Sequence, residues 1–174
     1  MSTLAKLLLG STVLVWWTSG AQKTENGPET LLFPPGAFVH APVQVRQKLE
    51  EMRCRIFKKN NLIEGKFATE QQDDWAALCV IDDKIQPVVL WGGKTQCDPR
   101  PSPARDYKEL LADPLRDAYI AAADAKKIVI LRRIFGGMEK LPPITHAGLE
   151  VGDEQASVIY ICQQGKWIEL IGDD

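Results

Sequence analysis

Histidine is nearly missing from this chain: His40 and His146 are the two it has. Any Ser–His–Asp hydrolytic triad has to use one of them, and no serine stands in a Gly-x-Ser-x-Gly elbow. Closely spaced cysteine pairs are missing as well. Cys54, Cys79, Cys97 and Cys162 are separated by 25, 18 and 65 residues, whereas zinc sites use tight pairs such as Cys-x-x-Cys. No apolar run reaches the roughly 20 residues that span a bilayer. Positive charge is not in excess: 21 Lys and Arg face 23 Asp and Glu, for a formal net charge of −2. A phosphate-binding face usually shows as a basic excess, so nucleic acid is not an expected partner. The pairs Gly92-Gly93 and Gly136-Gly137 lack the spacing of a phosphate loop. What remains is 174 residues, 45% hydrophobic and 25% charged. That is an ordinary globular chain, long enough for one domain with a core, and neither disordered, collagen-like nor polytopic.

The opening segment has one charge, Lys6, followed by an apolar run from Leu7 to Trp17 and then Thr18, Ser19, Gly20 and Ala21. A basic start, a short apolar middle and a small-residue end make an export signal, with cleavage expected after Ala21. An uncleaved anchor or a buried core helix is the competing reading. No cysteine stands at the junction, so a lipid anchor is not expected, and no stable membrane anchor remains after cleavage. Export makes the protein periplasmic or secreted. In that oxidising setting four cysteines read as two disulfides. Four cysteines allow three connectivities, and the count alone does not choose among them.

Residues 22–42 carry Pro28, Pro34, Pro35 and Pro42 and read as an extended arm, which Leu31, Leu32, Phe33, Phe38 and Val39 could pin to the body. Residues 43–174 are expected to form a single α+β domain. Pro42 suits a first helical position, and Val45, Leu49, Met52 and Ile56 follow at helical spacing. Leu62–Phe67, Trp75–Ile81 and Gln86–Trp91 read as strands of an antiparallel meander, with Asp82-Asp83-Lys84 as a turn. Residues 92–103 read as a loop, and Tyr107–Leu111 as one or two helical turns. Asp113-Pro114 reads as a helix start, with Leu115, Ala118, Tyr119 and Ala122 as the buried stripe. Ile128–Ile134 reads as a strand and residues 136–152 as an irregular connection. Ser157–Cys162 and Trp167–Ile171 form the clearest hairpin. With Gln164-Gly165 as the turn, Cys162 faces Trp167 and Tyr160 faces Glu169. The expected fold is an antiparallel sheet of about five or six strands with two principal helices, stabilised by disulfides.

Few residues are placed to carry chemistry. His146 lies in a proline-rich stretch with Glu150, Asp153 and Glu154 close behind, and His146 with Glu150 or Asp153 is the catalytic candidate. A histidine that hydrogen-bonds a tight loop is the simpler reading and the favoured one. His40 sits in the arm. Asp73-Asp74 and Asp82-Asp83 read as solvated turns, since neighbours on a strand point to opposite faces, and Asp173-Asp174 as a charged tail. Trp75, Trp91 and Trp167, all expected on strands, are the ligand-binding candidates, because an exposed aromatic row suits a sugar or a partner protein. The core is the competing use for them.

Two stretches carry a resemblance. One is Gly65-Lys66-Phe67 with Asp74-Trp75-Ala76-Ala77-Leu78-Cys79. The other is Pro142-Pro143-Ile144-Thr145-His146, then Ala156-Ser157-Val158 and Gly165-Lys166-Trp167-Ile168-Glu169-Leu170. Together they resemble a family of exported bacterial proteins of unknown function, over roughly Cys54 to the C-terminus. That resemblance implies export and brings no activity. The first stretch is also similar to half of an integrin-type FG-GAP repeat, a strand–loop–strand that binds calcium. Here Lys66 and Ala68 stand where oxygen ligands would be, and Glu70 and Asp74 are too few for a cation that prefers six to eight oxygens. The geometry is kept and the metal is not expected.

A Cys54–Cys79 link would staple the helix end to the sheet, closing a loop whose entropy is worth about 3 kcal/mol. Cys97 would then pair with Cys162. The family resemblance places cysteines near 54, 79 and 162 more clearly than near 97, which leaves a free Cys97 and an unpaired Cys162 open. The sequence therefore points to a non-enzymatic module that binds a protein or glycan, with no cofactor and no metal. A small hydrolase using His146 with Glu150 or Asp153 is the alternative.

Overall fold

The computed structural model describes residues 31–112, 117–135 and 143–171. The export segment, the first residues of the arm, Asp113-Pro114 with Leu115, Gly136-Gly137 and Asp173-Asp174 lie outside them.

Pro42 occupies the cap position rather than the first turn of α1 (Val43–Glu51), and the helix buries Leu49 completely. The arm is not merely extended. Its residues Leu32–Phe33 form strand β1, which pairs with β2 (Arg55–Phe57), and Phe38 is buried while Val39 stays exposed. The expected meander follows as β3 (Leu62–Gly65), β4 (Asp74–Ile81) and β5 (Lys84–Leu90). The short β6 (Arg105–Asp106) and the helix α2 (Tyr107–Ala112) complete the first half. The first sheet runs β1-β2-β4-β5-β6, with β3 also paired to β4, and its pairings are antiparallel. Asp82 and Asp83 both have positive φ, 48° and 59°, so the β4–β5 hairpin closes with a two-residue turn of the kind that matches strand twist. Pro87 is tolerated in β5 because β6 pairs only with Lys84 and Ile85, leaving the outer edge of β5 needing no donor there.

The second sheet contains β7 (Tyr119–Ala123), β8 (Gly148–Gly152), β9 (Ser157–Gln163) and β10 (Lys166–Ile171), in the order β10-β9-β8-β7, with α3 (Ala125–Phe135) between β7 and β8. The hairpin register is the expected one, Cys162 opposite Trp167 and Tyr160 opposite Glu169, closed by Gln164 and Gly165 at positive φ.

Three expectations fail in this half. Residues 119–123 are a strand, not the buried stripe of a helix; 125–135 are a helix, not a strand; and the 136–152 connection contains β8. Tertiary contacts decide the first. The buried Asn61 accepts the Ile120 N–H at 3.0 Å and donates to the Ala118 carbonyl at 3.2 Å, holding an alanine-rich segment extended against its helix propensity. A cap decides the second: Asp124 accepts the Lys127 N–H at 2.7 Å, and Ile128 and Leu131 fall on one inward face.

The layers follow from alternation. On β4, Trp75, Ala77 and Cys79 face α1 with Ile56, Leu62 and Val88, while Ala76, Leu78 and Val80 face the second sheet with Val89, Ile120 and Leu149. On β9, Ile159 and Ile161 face α3 with Ile128, Leu131 and Leu170. The protein is α+β, as expected, with a six-stranded antiparallel sheet against the expected five or six strands; the C-terminal hairpin lies in a separate four-stranded sheet, and there is a third helix. The order of layers is α1, first sheet, second sheet, α3. Cys54–Cys79 staples the end of α1 to the first sheet, and Cys97–Cys162 ties the 92–103 loop to the second. Two disulfides suit an oxidising environment. Among the described residues no helix is long and apolar enough to cross a membrane.

Candidate functional site

The three tryptophans separate by strand parity. Trp75 lies on the α1 side of β4 and is buried, with the His40 ring 6.0 Å away and Phe38 beyond it. His40 and Phe38 border a separate hollow of about 220 Å³ with Lys59. Trp91, one residue past β5, continues the opposite face. It meets Trp167 of β10 with ring centroids 5.7 Å apart and planes tilted by 31°. Tyr160 of β9 packs edge-on to Trp167 at 6.4 Å. Trp91 and Trp167 are both half-buried. The Trp167 Nε1–H donates to the Asp98 carbonyl at 2.7 Å, next to the Cys97–Cys162 bond, so the disulfide loop fixes the orientation of the ring. Trp91 Nε1 is buried without an acceptor among the described groups, a cost of about 1–3 kcal/mol.

Tyr160 also lines a groove of about 240 Å³ between the sheets. Leu78, Ile85 and Pro87 form one wall and Val151 and Val158 the other, with Ser102 and Pro103 over them. Arg105 Nη1 and Asp153 Oδ2 lie 3.7 Å apart there. The volume is below the ~300–1,000 Å³ of ordinary small-molecule pockets, so the groove fits one side chain or one sugar ring rather than a whole ligand.

A buried carboxylate holds the loops behind this rim. Asp74 Oδ2 accepts the Phe67 and Ala68 N–H groups at 3.1 and 3.0 Å, and Oδ1 accepts the Gln72 side-chain amide at 2.6 Å and the Gly92 N–H at 2.9 Å. Asp74 is therefore not part of a solvated turn, as the sequence suggested: it is fully buried. In the strand–loop–strand that resembles a calcium repeat, amide donors occupy both of its oxygens. Glu70 is exposed, and Lys66 pairs with Asp73 at 3.1 Å. Gly92 has no space for a side chain, because a Cβ there would strike the Asp73 carbonyl. Asn61 and Asp74 escaped sequence reasoning as sites; the one legible hint was the Gly-x-Phe…Asp-Trp frame.

The hydrolase candidates are placed apart. His146 Nδ1 donates to the Ala147 carbonyl at 3.0 Å, in a loop whose Ala147 N–H donates to the Lys66 carbonyl. Glu150 faces α3, with Lys127 Nζ at 3.0 and 3.1 Å from its two oxygens and the Tyr119 hydroxyl at 3.1 Å. Burial, and then the neighbouring Glu150 carboxylate, hold the Tyr119 phenol above its ordinary range. Asp153 faces the groove, and its Oδ1 accepts the Gln155 and Ala156 N–H groups of the β8–β9 turn. Among the described residues the three side chains share no partner. Among the described residues no group of three His, Cys, Asp or Glu side chains is arranged to hold a metal. In comparisons with known proteins, no family model matches the chain, and neither a curated protein nor a solved structure does.

Proposed function

We propose that the chain is an exported, periplasmic or secreted, non-enzymatic binding module, with its ligand surface running from the inter-sheet groove over Tyr160 to Trp167 and Trp91. The observation that carries this is the meeting of Trp91, which follows the last strand residue of β5, with Trp167 of β10, next to Tyr160 at the groove. Large rigid rings give contact area at little entropic cost. The Trp167 hydrogen bond to Asp98 pre-orients one of them. The scattered placement of His146, Glu150 and Asp153 argues against the hydrolase alternative. The disulfides, the export segment and the resemblance to exported bacterial proteins agree on where the protein works.

The ligand is a glycan or a protein, and a glycan is the simpler fit to tilted rings beside a groove sized for one sugar. Exported material, with an intact mass beginning at Gln22, is titrated with soluble β-linked oligosaccharides and with unstructured peptides while intrinsic tryptophan fluorescence is followed. A saturable change with one class is expected. Hydrolysis of the added oligosaccharide or peptide would instead favour the enzyme, and no saturable change with either class would remove the proposed surface.

A further inference from the structure

The outward face of α3 is the least expected surface of the molecule. Lys126, Val129, Ile130, Arg133 and Ile134 are all exposed, and their spacing of three, four, seven and eight residues from Lys126 puts them on one side of the helix. Val129, Ile130 and Ile134 are 38%, 46% and 65% exposed, while Ile128 and Leu131 on the inward side are buried. Among the described residues, the other large exposed hydrophobics are Val39 and Val43, far along the chain in the arm and α1. Residues 125–135 hold four cations, Lys126, Lys127, Arg132 and Arg133, and no acid. Lys127 is engaged with Glu150, and the nearest acid in sequence, Asp124, is held as the helix cap. A hollow of about 410 Å³ beside the first turn is lined by Asp124, Lys126, Lys127, Ile130 and Leu131.

We propose that this face of α3 docks on the surface of an anionic lipid bilayer. Charge complementarity selects the occupant. The whole chain is at −2, while residues 125–135 hold four cations and no acid, so an anionic surface attracts this helix against the sign of the chain's net charge. Exposed apolar side chains between cations are the pattern of a helix lying in the interfacial plane. The helix is already held against the second sheet by Ile128 and Leu131, so docking carries no folding cost. A second copy is disfavoured: pairing two such faces sets cations against cations, with no acid on either face to answer them. The aromatic surface plays no part in this proposal.

The test is co-sedimentation of the exported full chain with vesicles of phosphatidylglycerol mixed with phosphatidylcholine, and with vesicles of phosphatidylcholine alone. Sedimentation with the anionic vesicles is expected, weakening as salt screens the charges. Each cation near such a surface contributes about fivefold, so Lys126→Glu with Arg133→Glu lowers partitioning by at least about 25-fold. Ile130→Ser with Ile134→Ser lowers it by roughly tenfold through lost apolar contact. Both pairs are exposed, and circular dichroism checks that they fold. Trp167→Ala leaves sedimentation unchanged. Equal binding to both vesicle types, variants that sediment like the parent, or a dimer that the same substitutions dissociate without any vesicle binding would each overturn the proposal.

Discussion

The two sheets each bury a carboxylate, and they satisfy it by opposite means. In the first sheet Asp74 is fully buried and takes four neutral N–H donors, three of them from backbone or side-chain amides of its own loop and one from Gly92 across the next strand. In the second, Glu150 takes a cation and a phenol, Lys127 from α3 and Tyr119 from the neighbouring strand. The first arrangement organises backbone: remove the carboxylate and several N–H groups lose their acceptor inside the protein. The second joins elements already formed, and Lys127, 35% exposed, can still turn to water. A carboxylate that gathers amides shapes loops, whereas one that meets a single cation fastens a helix.

The comparison can be broken by substitution. Asp74→Ala is expected to cost about 3–5 kcal/mol, because buried donors are left unpaired. Urea unfolding followed by circular dichroism measures it. The loss extends to the rim, since Gly92 adjoins Trp91, so the near-ultraviolet signal of the tryptophans should weaken even where the variant remains folded. Glu150→Gln is expected to cost less, about 1–2 kcal/mol, and to leave the tryptophan signal intact. Equal costs for the two substitutions would erase the distinction.

A smaller effect sharpens the second region. Burial and then Glu150 raise the Tyr119 pKa above the ordinary tyrosine value. A group with a raised folded pKa stabilises the native state fully below its unfolded pKa and loses that contribution as pH rises through the folded value. Neutral stability is therefore untouched, and only the alkaline limb responds. Tyrosinate absorbance, taken as the difference from Tyr119→Phe, should show an elevated titration that Glu150→Gln lowers only in part, since burial remains. A titration unmoved by Glu150→Gln would place the carboxylate's influence elsewhere.

Legibility also divides between the two halves. In the first, apolar strands with clear turns announced β3, β4 and β5, and the two-aspartate turn needed nothing beyond local geometry. The C-terminal hairpin and its register were equally plain, because Gln164-Gly165 fixes the pairing. Residues 118–135 misled because the two signals there compete with tertiary structure. Alanines that favour a helix are held as a strand by Asn61, and a β-branched run that favours a strand is wound into α3 by the Asp124 cap and by Ile128 and Leu131. The Asp124 cap with its inward spacing was the available clue. For the site, parity along β4 and β5 already separates Trp75 from Trp91. The meeting of Trp91 with Trp167 joins two sheets whose contact no local pattern encodes, and neither does the role of Asp74, since a buried carboxylate looks like a surface one in sequence.

The proposed binding surface makes one demand above the rest: its ligand must depend on the tryptophans of the rim and not on the one beneath α1. Affinity for whichever oligosaccharide or peptide the titrations identify should be measured by calorimetry on the parent chain, Trp91→Ala, Trp167→Ala and Trp75→Phe. Loss of an anchoring ring from an interface typically costs 2 kcal/mol or more, so each rim variant should bind at least about 30-fold more weakly, while Trp75→Phe binds like the parent. Affinity that survives both rim substitutions, or that falls only with Trp75→Phe, would contradict the account.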